Sequence, residues 1–201
     1  MIHNLFPTPI YQADLKKPIS NKILNNKVVY RKNTGNDASV DTYILEKTLY
    51  SDLKKECQSH LEEYYRTIIN TKNNVTPYIT QSWLNKTKEK GHHPLHTHPN
   101  SIISGVVYFN ADPNKDNIRI QKPLGGHSYA LQFLMYPKEY NAWNSNDFVL
   151  PVKSNSIILF PSYLPHSVDI KNSSNIRTSL SFNTFVKGTL GYEVDLDLLQ
   201  I

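Results

Sequence analysis

HPLHTHPNSIISGVVYFN, residues 93–110, is the stretch on which the reading of this chain turns. His96 and His98 stand two positions apart and lead into an apolar run that ends at Phe109. Alternate side chains of an extended segment share a face, so a strand here points both imidazoles the same way and makes a chelating pair. A second phrase, IILFPSYLPHSV at residues 157–168, delivers His166 at the end of another apolar run. The interval between His98 and His166 is long enough for several strands to fold back, so the third imidazole comes from a different part of the fold. Neutral imidazoles suit Fe(II), Zn(II), Ni(II) and Cu(II), and a facial set of three leaves positions open for small ligands. The spacing therefore predicts a catalytic metal held by His96, His98 and His166 in preference to a closed structural site. His92 and His93 stand beside the pair, as competing ligands or as groups on the approach to the pocket.

Around these phrases the pattern is that of a mainly β chain. After Asn70, short candidate strands at 78–85, 101–110, 117–121, 129–136, 147–151, 156–160, 166–170 and 177–185 alternate with turn residues such as Gly125, Gly126 and Asn172 to Asn175. Strands without intervening helices imply an antiparallel sandwich or barrel, of which the double-stranded β-helix, a cupin-like jelly roll, is one version. Upstream, Leu45, Leu49, Leu53, Cys57, Leu61 and Ile68 recur about every fourth residue, which predicts an amphipathic helix over 45–68 packed on the sheet. Residues 1–20, broken by Pro7, Pro9 and Pro18, read as an edge strand or an extended arm, and 33–39, with Gly35, as a loop or the approach to the first long helix. The expected organisation is one domain over 1–201: an arm and supporting helix region at 1–75, a jelly-roll catalytic core at 76–187 and a C-terminal tail at 188–201.

NIRTSLSFNTF adds a chemical element. Arg177, Ser179, Ser181 and Asn183 fall on one face of the predicted strand, while Ile176, Thr178, Leu180 and Phe182 fall on the other. If the polar face points inward, a guanidinium and hydroxyls line a cavity beside the metal, and Arg177 can grip a carboxylate bidentately. If it points outward, Arg177 makes only a surface pair. Asn100 and Ser101 follow the histidine pair, where they orient its imidazoles or simply form a turn. Trp83 either walls the pocket or fills the core.

Composition narrows the class. The 201 residues include 13 Tyr, 7 Phe and 2 Trp, enough bulky groups for a core, and disorder is not expected. The net charge of +5 is spread over lysine doublets and small groups, which permits a nucleic-acid partner without supporting one. Cys57 is the single cysteine, so no intrachain disulfide or thiolate cluster can form, and a reducing compartment fits. No window approaches the length of an apolar membrane span and the N-terminus lacks the pattern of a signal peptide, so a soluble, cytoplasmic protein is expected.

The phrases LFPTPIY, QSWLN, HTHPNSIISGVVYF, IILFPSYLPHSV and RTSLSFN, taken in order, resemble the 2-oxoglutarate and Fe(II)-dependent dioxygenase superfamily, in particular its phage and bacterial members. The likeness runs from the arm to about Asn183. The resemblance implies metal ligands at His96 and His166 and places 2-oxoglutarate against Arg177, with Ser179, Asn100 and Asn183 as further cofactor-binding candidates. It implies Fe(II), 2-oxoglutarate as co-substrate and dioxygen, with hydroxylation of a small molecule or peptide and release of succinate and carbon dioxide. The superfamily's second ligand is commonly Asp or Glu two residues after the first; here that place is His98, which removes a negative charge from the metal. A homodimer is the first expectation of assembly, and the host cytoplasm the location for a phage-encoded chain. Two other classes stay open: a non-catalytic jelly-roll binding or phage structural protein with a retained metal, and a cupin-like three-histidine metalloenzyme that does not use 2-oxoglutarate.

Overall fold

The structure is a computed structural model that describes residues 3, 6–123 and 138–201. The expected strand at 129–136 and the turn at Gly125 and Gly126 lie outside the described residues. Among those described, the chain forms β1 (Tyr11–Asp14), α1 (Asn21–Leu24), β2 (Tyr30–Asn33), β3 (Asn36–Ser39), α2 (Ser51–Tyr64), β4 (Val75–Thr87), β5 (His93–His96), β6 (Ile103–Asn110), β7 (Asn117–Gln121), β8 (Asp147–Pro151), β9 (Ser156–Pro161), β10 (His166–Val168), β11 (Arg177–Leu190) and β12 (Leu199–Gln200).

Two antiparallel sheets result, in the double-stranded β-helix arrangement the sequence predicts. The larger runs β1-β9-β6-β11-β4-β3-β2, with β12 added to β11, and the smaller runs β5-β10-β7-β8. Period-two alternation explains why the large sheet is buried on both faces. Leu180 and Phe182 of β11, Val107 and Phe109 of β6, and Ile157 and Leu159 of β9 join one core with Leu53, Cys57, Leu61 and Tyr64 of α2. Their neighbours Val106, Tyr108, Ile158 and Phe160 turn the other way and meet Ile118 and Ile120 of β7 in a second core between the sheets. Cys57 is wholly buried, and burial pushes its thiol well above the ordinary range.

Three local differences from the sequence expectation have physical causes. The helix is shorter than 45–68: 3-10 turns at Ile44–Glu46 and Thr48–Tyr50 precede α2, and a π turn at Tyr65–Ile69 follows it. Asn70 then ends the helical segment with a left-handed φ of 47°. Residues 33–39 are the core of the β2/β3 hairpin, whose strands are short and polar and therefore look like a loop. Gly35 turns this hairpin at φ +79°, and a Cβ there would come within 2.6 Å of His92. The C-terminal segment contributes β12, which returns to pair with Thr189 and Leu190 of β11. Among the described residues no helix is long and apolar enough to cross a membrane.

Candidate metal centre

The small sheet places two of the three histidines. His96 ends β5 and lies directly opposite His166, the first residue of β10. Their ring centroids are 4.2 Å apart. His98 follows β5 after Thr97, where its backbone N–H donates to the Ser162 carbonyl at 3.0 Å. The ligand atoms of His96, His98 and His166 all lie within 4.8 Å of one another.

Hydrogen bonds decide which nitrogens converge. The Nδ1–H of His96 donates to the Pro94 carbonyl at 2.8 Å and that of His166 to the Leu164 carbonyl at 3.0 Å. The Nδ1–H of His98 is shared between Asn183 Oδ1 and Ser104 Oγ, both at 2.8 Å. A buried hydroxyl chain fixes that direction. Ser104 donates to Ser162 at 2.8 Å, Ser162 to Ser101 at 2.8 Å, and Ser101 to the Ile103 carbonyl at 3.1 Å. With Nδ1 protonated on all three rings, the lone pairs reside on Nε2, and those of His96 and His98 face each other at 3.2 Å.

Burial favours the neutral, ligating form. Burial first, and then the neighbouring His96, pushes His98 down to about 4 and His166 down to about 3. His96 is lowered as well, chiefly by burial. The donor set thus fits a divalent first-row metal: three neutral imidazoles, oriented from behind, with no proton to displace near neutral pH.

The remaining candidates take distinct positions. Arg177, 5% exposed, and Ser179, 4% exposed, line the cavity that opens beside the histidines, together with Trp83, Asn85, Asn36 and Tyr108. Arg177 donates from Nη1 to the Asn117 carbonyl at 2.9 Å. Asn183 holds His98, as described. Asn100 is exposed in a turn at φ 57° and is not among the residues lining the cavity. Trp83 walls the pocket, its ring 5.7 Å from that of His98. His93 stacks on His96 at 4.2 Å between centroids and lines the cavity without joining the ligand cluster. The supporting roles of Ser104 and Ser162 have no signal in the sequence, because both lie in ordinary strand and turn contexts. Asn36 was hidden inside the segment read as a loop.

The ligand set corrects the expected chemistry. Reaction with Fe(II), 2-oxoglutarate and dioxygen was expected, with the chain acting as a 2-oxoglutarate-dependent dioxygenase that releases succinate. The site for that chemistry combines two imidazoles with one carboxylate, whose negative charge partly offsets the metal. Here the cluster is His96, His98 and His166, and among the described residues no carboxylate joins it. The expectation therefore fails at the second ligand, and the three-histidine alternative describes the site better.

Comparisons with known proteins agree on the fold. A family model described as "Putative 2OG-Fe(II) oxygenase" matches residues 81–183, half of the chain, and spans all three histidines and Arg177. HygX from Streptomyces hygroscopicus, solved with nickel, 2-oxoglutarate and hygromycin B bound, is similar with a TM-score of 0.59 at 10% identity, over 88% of this chain and 82% of that one. A Pseudomonas putida prolyl-4-hydroxylase is similar with a TM-score of 0.54 at 9% identity, over 88% and 92% of the two chains. An oxidoreductase of the 2OG-Fe(II) oxygenase family from Burkholderia pseudomallei has a TM-score of 0.54 at 11% identity, over 81% and 74%. A search of curated proteins finds no match. At these identities the solved structures speak to fold alone.

Proposed function

The chain belongs to the 2OG-Fe(II) oxygenase superfamily, and from that premise we propose a jelly-roll metalloenzyme that works with a three-histidine divalent metal centre and without 2-oxoglutarate. A shared fold does not fix a shared reaction, because chemistry follows the site. The observation that carries this reading is the 3.2 Å approach of two Nε2 lone pairs, on His96 and His98, whose Nδ1 positions are already committed as donors. Two acceptors at that distance repel unless a cation lies between them. Burial disfavours a proton there, which leaves a metal ion. When bound, the ion supplies a Lewis acid with open positions for an oxygen donor of the substrate.

The chain's own residues prepare that site. Asn183 and Ser104 hold the His98 ring in the tautomer and orientation that present Nε2 to the cluster. Phe160, packed edge-on to His166 at 4.7 Å, and Trp83 close two sides of the site to water. Arg177 places a buried positive charge further along the cavity and draws in a small substrate that is anionic or strongly polar. Since the imidazoles are neutral, a metal held there would favour a substrate whose donor oxygen carries negative charge.

The test is a titration of the metal-free chain with Ni(II), and with Fe(II) without air. Binding is expected for the native chain and its loss for His98→Ala and His166→Ala. Addition of 2-oxoglutarate to the anaerobic Fe(II) form should leave the visible spectrum unchanged. A new keto-acid absorption band with succinate release would overturn the reading, and so would failure to bind any divalent ion.

A further inference from the structure

The ladder between β4 and β11 is regular except at one place. Phe182 lies opposite Ser82, but two residues further along β11 Thr184 lies opposite Ile79, so Thr80 and Gln81 together face Asn183. An extra residue in one strand reverses which of its side chains point to which face. Before this bulge the even-numbered residues of β4 turn toward α2: Leu84 joins the core under the helix, and Ser82 Oγ accepts the Leu45 N–H at 2.8 Å. After the bulge Ile79 takes that side. Tyr78 is thereby delivered to the opposite face, the one that carries Trp83, Ser181 and Asn183. β11 has no such reversal, so Phe185 follows Asn183 on the same face. Tyr78 and Phe185 are direct partners, each 37% exposed. Beside them Ile102, also 37% exposed, donates its backbone N–H to the Thr184 carbonyl at 3.0 Å. One pair further out, Lys187 opposite Thr76 ends the apolar stretch.

The place of this pair relative to the histidines gives it a meaning that single exposed apolar residues lack. Asn183 Oδ1 accepts from His98, and along the strand Ser181, Ser179 and Arg177 lie on one side of Asn183 and Phe185 on the other. The metal centre is thus flanked by the buried guanidinium in one direction and by the aromatic pair, about 7 Å along the strand from Asn183, in the other. The cavity beside the histidines holds about 40 Å3, room for a few waters, and neither Tyr78 nor Phe185 lines it. The donor end of a substrate enters such a space, but the body of a larger molecule lies outside. On the side away from Arg177 that body meets Tyr78 and Phe185.

We propose that Tyr78 and Phe185 form a shelf for the apolar body of the substrate, an aromatic ring or an aliphatic group of similar size, whose polar head lies at the histidines. The inference deepens the proposed function and rests on it for the place of the head. Two neighbouring rings receive a third by offset or edge-on contact, and the area they shield from water adds to affinity without adding charge. A charged group set on the same shelf would lose water and find no partner before Lys187. The length of the apolar stretch, one cross-strand pair, limits the body to about one ring.

The experiment is calorimetry on the full chain loaded with Ni(II), using hydroxamates that share one metal-binding head: acetohydroxamate against benzohydroxamate, phenylacetohydroxamate and 3-phenylpropionohydroxamate. At least one ring-bearing member should bind about tenfold or more tighter than acetohydroxamate. In Phe185→Ser and in Tyr78→Ser, checked for native circular dichroism, that ratio should fall close to one, and in Phe185→Leu part of it should remain. A second measurement uses the native, metal-free chain: 2-naphthol should give nuclear Overhauser contacts to the rings of Tyr78 and Phe185, which decides the matter even where a serine variant does not fold. A series without gain, or a gain that both serine variants keep, overturns the proposal. So does a chain that is dimeric in solution and becomes monomeric in Phe185→Ser, since the pair is then an interface between copies. If Ni(II) fails to bind, the metal centre falls and the naphthol contacts alone judge the shelf: at Tyr78 and Phe185 they uphold it, and confined to other residues they sink it.

Discussion

The Nδ1–H of His98 has two acceptors at 2.8 Å, Asn183 Oδ1 and Ser104 Oγ, and this pair of contacts makes the third imidazole a ligand. Replacing Asn183 by Ala removes the carboxamide oxygen bonded to that ring, and metal affinity should fall about 10- to 100-fold while His96 and His166 remain in place. Ni(II) calorimetry reads this directly; an unchanged affinity would show that Ser104 alone orients the ring. The same histidines set a pH dependence. In the folded chain His93 and His98 are pushed down to about 4 and His166 to about 3, in each case by burial first and then by His96. In the unfolded chain an imidazole titrates near about 6.5. Above that pH neither state carries the proton and there is no linkage. Below it the unfolded chain takes up protons that the folded chain refuses, so stability falls as pH drops from about 6.5 toward about 4. Thermal melts of the metal-free protein between pH 7 and 5 should show this fall, and His166→Gln should reduce its slope. A flat profile in the native chain would mean the rings are not buried neutral.

At the scale of elements, β6 and β11 are fitted to each other through one glycine. Gly105 lies opposite Phe182 in the ladder, and a Cβ on it would come within 2.0 Å of the phenyl ring. Gly105→Ala should therefore force Phe182 out of its place in the core, at a cost of about 1–3 kcal/mol or more. Denaturant unfolding measures the loss, and Gly105→Ala with Phe182→Leu should recover part of it; two additive losses would sink the explanation. β11 is legible in the sequence because its two faces carry different chemistry, with Leu180 and Phe182 toward α2 and Arg177, Ser179, Ser181 and Asn183 toward the cavity. β5 is not legible. HPLH is too short and too proline-interrupted to announce a strand, and it becomes one only through its ladder with β10. The β2/β3 hairpin escapes for the complementary reason: Asn33, Asn36 and Asp37 are turn-like residues by composition, and only the pairing of β2 with β3, and of β3 with β4, makes them strand. That His96, His98 and His166 come together is readable from their spacing, but the groups behind them come from four separate segments and have no local pattern.

Across the whole molecule, the two sheets are joined at the histidine cluster and again where the chain crosses between them. Asp116 sits on the crossing from β6 to β7, and Lys171 on the crossing from β10 to β11. Their side chains are 2% and 3% exposed and meet at 2.9 Å. Burial alone would raise the Asp116 carboxyl, but the Asp112 backbone N–H and the Lys171 and Asn175 side chains outweigh it and hold it below the usual range. Lys171→Met leaves that carboxylate charged and buried without its cation, and should destabilise the fold by about 3–5 kcal/mol. A loss within the range of a surface substitution would show that water reaches the pair. The histidine cluster lies at the other junction. His96 and His166 belong to the small sheet, while His98 is tied to Ser104 and Asn183 of the large one. An ion on all three therefore cross-links the sheets and stabilises the folded state alone. At a hundredfold excess over Kd that linkage contributes about 2.7 kcal/mol. For a chain of this length, at about 2–4 °C per kcal/mol, Tm should rise by roughly 5–11 °C. Scanning calorimetry with Ni(II), and again after chelation, measures the rise and its reversal, and His98→Ala should abolish it. If Ni(II) binds the native chain tightly yet leaves Tm unmoved, the ion is held equally by the unfolded chain, and the histidine cluster is not the brace between the sheets.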